Sequence, residues 1–356
     1  AMSDPIQALP LSISGCENLV VIRAARNDIF DLPDCFGSIC RVEYLDFNEN
    51  QLESLPPSFL NCDRLKVLLL RKNQLRELFK GTSNLYALHT LDISYNRMRK
   101  LPRGLGSLVQ YHALKNHDLS FNSWEMPPPE ILEQGEAVML KYVGALWNAT
   151  QTDQLAINML RISAMRGEIM ELHGISELNL DDNCIVEIPV GISKMHKLEE
   201  ISMVRNRIKV LPDQLFELKN LERIKFDDNE ITEIPSGIVR LKAGLAWLCL
   251  ERNFITSFPP ELAQMETLEV FNVSRNGLQP DIRLALDRGL DCLLAYMRKW
   301  TVVRFEGRVD LAWYGELLWE PFAEFPSSLW SYAASLRVID LNDNAIRAIP
   351  QNITQL

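Results

Sequence analysis

The feature that most restricts this chain is an asparagine that keeps returning. It stands at Asn27, Asn50, Asn73, Asn96 and Asn122, then at Asn183, Asn206, Asn229, Asn253 and Asn276, and again at Asn344. Within the regular stretches the spacing is 23 residues, with one step of 24 and one of 26. A fixed period of this size marks a chain assembled from copies of one supersecondary unit. The apolar residues keep phase with it: Leu45, Phe47, Leu52 and Leu55 around Asn50; Leu68, Leu70, Leu75 and Leu78 around Asn73; Leu91, Ile93, Met98 and Leu101 around Asn96.

The template reads L-x-x-L-x-L-x-x-N-x-L-x-x-L. In its L-x-L stretch the two apolar residues point inward and their neighbours outward, as the two-residue period of a strand requires. The turn that follows leaves backbone groups facing the interior. An asparagine side chain carries both donors and an acceptor and can satisfy such groups in its own coil and the adjacent one. A later apolar residue followed by proline (Leu55-Pro56, Leu101-Pro102, Ile188-Pro189, Leu211-Pro212, Ile234-Pro235, Phe258-Pro259, Ile349-Pro350) carries the chain back along the far side. No single coil can bury its apolar face, so stacking must create the core.

This template resembles the leucine-rich repeats, in the subclass with about 23 residues per coil and Leu-Pro after the asparagine segment. The resemblance implies an α/β fold: a leucine-rich-repeat solenoid with a curved parallel sheet on its concave face and irregular or short-helical segments on its convex face.

Asparagine spacing jumps twice, to 61 residues between Asn122 and Asn183 and to 68 between Asn276 and Asn344. The two inserts match. Gly135 and Gly289 each lie thirteen residues past the preceding asparagine, and Tyr142 and Tyr296 seven further on. Ile131, Gly135, Val138 and Tyr142, like Leu290, Leu293, Leu294 and Met297, recur at helical spacing. A degenerate coil is expected after each helix: Leu160-x-Ile162 with Met165 in the asparagine place, and Val309-x-Leu311 with Tyr314 there. One elongated solenoid over 1–356 follows, with regular repeats at 9–128, helix plus degenerate coil at 129–174, regular repeats at 175–280, helix plus degenerate coil at 281–335, and a further repeat at 336–356 that reads as truncated. The inserts should break or bend the sheet. This plan is similar to that of intracellular leucine-rich-repeat proteins of the leucine-rich repeat-containing protein 40 kind and of Ras-scaffold-type repeats, although the cycle occurs twice here and a basic residue usual after the first tyrosine is missing.

The formal charge of −10 argues against a nucleic-acid partner, which would need a basic stripe. No apolar run reaches the roughly 18–20 residues of a membrane span, and Ala1 to Pro10 lack a signal-peptide pattern. The seven cysteines are scattered and odd in number, which fits reduced thiols in the cytoplasm or nucleus. On that reading the tripeptides at Asn148, Asn272 and Asn352 are chance glycosylation motifs.

No phosphate loop, C-x-x-C pair or H-E-x-x-H motif occurs, so neither an enzyme activity nor a cofactor or metal is expected. His117 falls on an inward strand position and reads as a hydrogen-bonded core residue. Arg223-Ile224-Lys225-Phe226 matches a phosphatase-docking pattern, but Ile224 and Phe226 are the inward residues of a strand and cannot serve both roles.

What remains is the outward face, at two, four and six residues before each asparagine. Candidate partner-binding positions there are Tyr44, Asp46, Leu69, Arg71, Asp92, Arg223, Lys225, Trp247 and Glu251. Trp247 has two readings: a ring lying on adjacent coils, stacked on Arg223, or an exposed anchor for a partner. The resemblance implies a monomeric scaffold or adaptor that binds proteins, small GTPases or phosphatases among them. The alternative is that the chain is the recognition region of a larger GTPase, kinase or ligase, a reading favoured by a sequence that stops mid-coil at Leu356.

Overall fold

The computed structural model describes residues 4–78, 81–110, 113–312 and 322–355. The chain forms two compact units, 1–162 and 163–356.

In the first unit, strands β1 (Val21–Arg23), β2 (Tyr44–Asp46), β3 (Val67–Leu69), β4 (Thr90–Asp92) and β5 (Asn116–Asp118) pair in that order as a parallel sheet. Each strand is three residues long. Its central residue is inward, as Leu45, Leu68 and Leu91 are, all essentially fully buried. The returning segments are short 3-10 turns, entered from proline as at Pro57–Asn61 except for Thr82–Asn84, which is entered from Gly81. The fourth coil instead makes helix α1 (Leu105–Gln110).

The residue before each marker asparagine has left-handed backbone: Arg26, Glu49, Lys72, Tyr95 and Phe121 in this unit, with φ between 55° and 58° for all but Lys72, at 54°. This kink turns the asparagine side chain back under the sheet. Asn73 shows the result. Its Nδ2 donates to the carbonyls of Phe47 (2.9 Å) in the preceding coil and Leu70 (3.0 Å) in its own, and its Oδ1 accepts from the N–H of Leu52 (3.0 Å). Asn50, Asn96 and Asn122 repeat the pattern.

After β5 the ladder stops. The first insert is two helices, α2 (Pro129–Leu132) and α3 (Glu136–Thr152), not one continuous helix. Gly135 separates them with φ 93° and ψ 173°, a conformation essentially reserved to glycine. The long helix packs on α1 so closely that a Cβ on Gly106 would lie 2.6 Å from Val143 O and from Trp147 Cβ.

Strand β6 (Gln154–Ala156) then begins the degenerate coil, and here the expected register is wrong. The strand core is Leu155-x-Ile157, both buried, and Leu160 stands in the asparagine place behind left-handed Met159. Ile162 and Met165 take the two later apolar positions. Leu160 lies 38 residues after Asn122 and 23 before Asn183, so the period is restored.

The second unit holds α4 (Gly167–Met170) and strands β7 (Glu177–Asn179), β8 (Glu200–Ser202), β9 (Arg223–Lys225), β10 (Trp247–Cys249) and β11 (Val270–Asn272). These five pair in chain order, all parallel. Helices α5 (Pro280–Asp287) and α6 (Leu290–Glu306) follow, divided by Gly289 at φ 116° and ψ 165°. Strands β12 (Arg308–Asp310) and β13 (Val338–Asp340) form a separate pair, with Val309 and Leu311 buried as expected. Tyr314 lies outside the described residues. Buried Tyr296 on α6 donates from its hydroxyl to Asp281 on α5 (2.6 Å), and Asp281 also accepts from Ser327 Oγ (2.8 Å) and Ser328 N (3.2 Å). That network ties the insert to the coil that follows.

Candidate functional site: the outward faces of the ladders

Each unit presents its outward strand residues as columns one strand spacing apart, about 4.8 Å. In the first unit Tyr44, Asp46, Leu69, Arg71 and Asp92 lie on adjacent strands or just past them. Tyr44 and Val67, and Asp46, Leu69 and Asp92, are direct register partners. Arg23 sits over the Tyr44 ring (5.2 Å) and Arg71 over that of Tyr95 (4.8 Å), contacts worth about 0.5–1 kcal/mol when exposed. Asp46 accepts from Asn48 N (3.0 Å), and Asn48 Oδ1 in turn accepts from Arg71 N (2.7 Å).

Asp92 and Asp118 bind the N–H and hydroxyl of Ser94 and Ser120, respectively. Burial would raise the Asp118 carboxyl, but the hydrogen bonds from Ser120 and Ser94 and the charge of Arg71 hold it below its usual range.

In the second unit Arg223 and Lys225 lie on β9 and Trp247 on β10, with Glu251 two residues past its end. Register places Trp247 between Arg223 and Val270. Of the two readings of Trp247, the ring stacked on Arg223 is not the arrangement that forms. The Arg223 guanidinium goes to Glu200 (2.9 Å), which also holds Lys225 (2.6 Å). Two cations on one carboxylate win over the ring because a charge-assisted hydrogen bond is the stronger interaction. Partial burial would raise the Glu200 carboxyl; the bonds from Lys225 and Arg223 overcome this and lower it. Trp247 is left 39% exposed.

Glu251 meets Arg275 (3.5 Å), and its N–H donates to Asp227 Oδ1 (2.7 Å). Burial pushes both the Asp227 carboxyl and the Cys249 thiol up, so Cys249 is a poor nucleophile.

Three features lie outside the candidate partner-binding positions. Glu200, the shared counterion, sits in the same column as Trp247, between Glu177 and Arg223. Tyr95 and Phe121 stack at 4.1 Å, with Phe121 66% exposed; their signal was two aromatics in the same phase of successive coils. Along the same rim, ion pairs run from coil to coil: Arg26 with Glu49, Glu49 with Lys72, Asp182 with Arg205, and Asp228 with Arg252. His117, inward on β5, meets Glu136 at the start of α3 (3.0 Å).

Among the described residues no group of His, Cys, Asp and Glu is placed to hold a metal ion, and no helix is long and apolar enough to cross a membrane.

Parallel three-residue strands, one per coil, with an inward asparagine bridging each coil to the last, define the architecture. The coils are leucine-rich repeats. The Leucine Rich Repeat family model matches residues 41–62. A comparison with curated proteins finds no match. Similar solved structures include a leucine-rich-repeat protein of Leptospira interrogans, 22% identical over 81% of this chain and 76% of that one, with a TM-score of 0.36. An internalin of Listeria monocytogenes is 16% identical over 95% of this chain and 85% of its own, with a TM-score of 0.37. The Arabidopsis receptor kinase HAESA, in complex with the peptide hormone IDA and the co-receptor SERK1, is 25% identical over 76% of this chain and 44% of its own, with a TM-score of 0.35. The chain thus spans less than half the length of that receptor structure. The coil geometry, not these likenesses, carries the assignment of the repeats.

Proposed function

We propose that this chain is a protein-binding module whose partners dock on the outward faces of its ladders, with Trp247 as the anchor in the second unit. The observation that carries this is the placement of Trp247. Its flanking residue Leu248 is locked in the core, and β10 is paired on both sides, so an exposed indole is held on rigid backbone. A pre-ordered aromatic costs little further entropy on binding, and tryptophan is enriched at interface hot spots. The Glu200, Arg223 and Lys225 cluster supplies a charged rim beside it.

In this reading the chain acts as a monomeric scaffold or adaptor in the cytoplasm, not as a catalyst. The family resemblance puts small GTPases and phosphatases among the first proteins to test. The test compares Trp247→Ala with Val190→Ala, an exposed residue on a returning 3-10 turn. Partners captured by the native chain and identified by mass spectrometry should bind Trp247→Ala roughly 30-fold more weakly, the equivalent of about 2 kcal/mol. Val190→Ala should retain them, and neither change should move the melting temperature. Partners retained by Trp247→Ala together with a lower melting temperature would assign the ring to the scaffold instead.

A further inference from the structure

The two inserts end their ladders differently. In the parallel sheet, alternate residues of a strand serve alternate neighbours. On β11 and the residues beyond it, Val270, Asn272 and Ser274 face β10: Val270 N–H donates to Ala246 O, Asn272 O accepts from Leu250 N and Ser274 O from Arg252 N. Phe271, Val273 and Arg275 therefore face the other way, where the next coil would stand.

In regular coils these outward donors are taken. The residue three before the asparagine donates to the next coil, as Leu250 does to Asn272 O (2.7 Å), and the residue one before it does likewise, as Arg252 does to Ser274 O (3.0 Å). At the end of the first ladder, Leu119, the counterpart of Val273, donates to the Glu136 carboxylate (2.9 Å). That carboxylate comes from the residue after Gly135 and also meets His117. After Gly289 the corresponding residue is Leu290, and the counterpart of His117 is Phe271. An apolar pair has replaced the acid and its histidine. Among the described residues neither Val273 N–H nor Arg275 N–H has a protein acceptor, although Val273 is buried.

A groove of about 390 Å³ runs along this edge, walled by Phe271, Val273, Arg275, Leu278, Arg283 and Leu286. Exposed strand edges are templates for pairing with a further strand.

We propose that the open edge of β11 binds an extended peptide segment of a partner protein by strand addition. The donors of Phe271, Val273 and Arg275 pair with its carbonyls. The apolar wall of Phe271, Leu278 and Leu286 takes an aliphatic or aromatic side chain. Arg275 is paired with Glu251 (3.5 Å) and Arg283 stands beside Asp287, so selection rests on the backbone donors and the apolar wall rather than on charge. This site is the edge of the ladder, distinct from its outward face, and does not depend on Trp247.

The first insert suggests the test. Leu290→Glu recreates the Glu136 arrangement and should place a carboxylate on Val273 N–H. The probe is a displayed library of random twelve-residue peptides panned on the full chain, with recovered peptides labelled and titrated by fluorescence polarisation. Recovered peptides should be rich in apolar residues, lose at least tenfold in affinity on Leu290→Glu and on the neutral acceptor Leu290→Gln, and bind Trp247→Ala as they bind the native chain. Amide exchange at Val273 and Arg275 should slow when peptide is added, and at Val273 in unliganded Leu290→Glu. Should Leu290→Glu fold poorly, Leu290→Gln and the exchange data on the native chain decide. No enriched peptide, or peptides that leave the Val273 and Arg275 amides unprotected, would overturn the proposal. Peptides lost on Trp247→Ala but not on the Leu290 variants would place binding on the outward face and overturn the edge site alone.

Discussion

Asn206→Ala isolates what the asparagines contribute. Asn206 is 8% exposed. Its Oδ1 accepts from Ile185 N (3.0 Å), and its Nδ2 donates to Leu180 O (3.0 Å) in the preceding coil and to Val204 O (3.3 Å) in its own. Alanine removes all three bonds and offers no replacement. Leu180 O keeps Asn183 Nδ2 (2.9 Å) and Val204 O keeps the N–H of Asp182 (2.9 Å), so the group left without a partner is the N–H of Ile185, a residue with no exposed surface. Orphaning one such group costs about 1–3 kcal/mol, so a loss of about 2 kcal/mol is expected. For a unit of this size that is a fall in melting temperature of roughly 4–8 °C. Asn206→Asp should fall at least as far, because it keeps the acceptor but sets a negative charge against two carbonyls. Asn220→Ala is the control: Asn220 donates to His196 O (2.8 Å) at an exposed site, and its loss should stay within about 0.5 kcal/mol. Differential scanning calorimetry and urea titration measure all three. An Asn206→Ala protein that melts with the native one would refute the bridging role of the side chain.

Three further outcomes are expected. Glu200 has a folded-state pKa below its ordinary 4.5, so its contribution is present above that value and is lost as pH falls through the lowered folded value; the stability gap between native protein and Glu200→Gln, read by urea titration, should be widest near neutrality and close below pH 4.5. Burial pushes the Cys62 thiol up to about 11, so a maleimide at pH 8 should label exposed Cys16 and Cys40 at once and Cys62 only after unfolding; early labelling of Cys62 would contradict its burial. Gly135→Ala and Gly289→Ala should each cost about 1–3 kcal/mol, since both force a side chain into backbone that only glycine adopts comfortably; unchanged denaturation midpoints would mean the helix pairs rearrange freely.

The strands and their inward residues were readable because burial on one side of a two-residue period leaves a direct trace, as at Leu45-x-Phe47 and Leu248-x-Leu250. The degenerate coil at 154–165 was misread because Leu155-x-Ile157 and Leu160-x-Ile162 both satisfy the strand template locally. Counting 23 back from Asn183 would have chosen between them. The helix break at Gly135 was hidden because a glycine fits helical spacing as well as any small residue, and only the backbone angle separates the two uses. At the candidate site, membership of the outward columns was legible, but pairing was not. Whether Arg223 chooses the ring of Trp247 or the carboxylate of Glu200 depends on side-chain reach across two strands, which no single-strand pattern encodes. The open edge of β11 was invisible for a similar reason: it follows from Leu290 standing where Glu136 stands in the other insert, a difference that matters only once the helix start is seen beside the strand.

The asparagine bonds also give each stack a sense of direction. Every bridging side chain reaches backward: Asn73 serves Phe47 O and Leu52 N in the coil before it. Strip away the coil that precedes Asn73, and that side chain still holds Leu70 O and Arg71 O in its own turn. Strip away the coil that contains Asn73, and the N–H of Leu52 loses its acceptor, while Phe47 O keeps only Asn50 Nδ2 from its own coil (3.0 Å). Fraying from the trailing side of a ladder is therefore the costlier event for what remains, and shortening a ladder by one coil at either side should not be equivalent. Glu136 stands at the trailing side of the first ladder, where its carboxylate takes the N–H that a following coil would otherwise have taken.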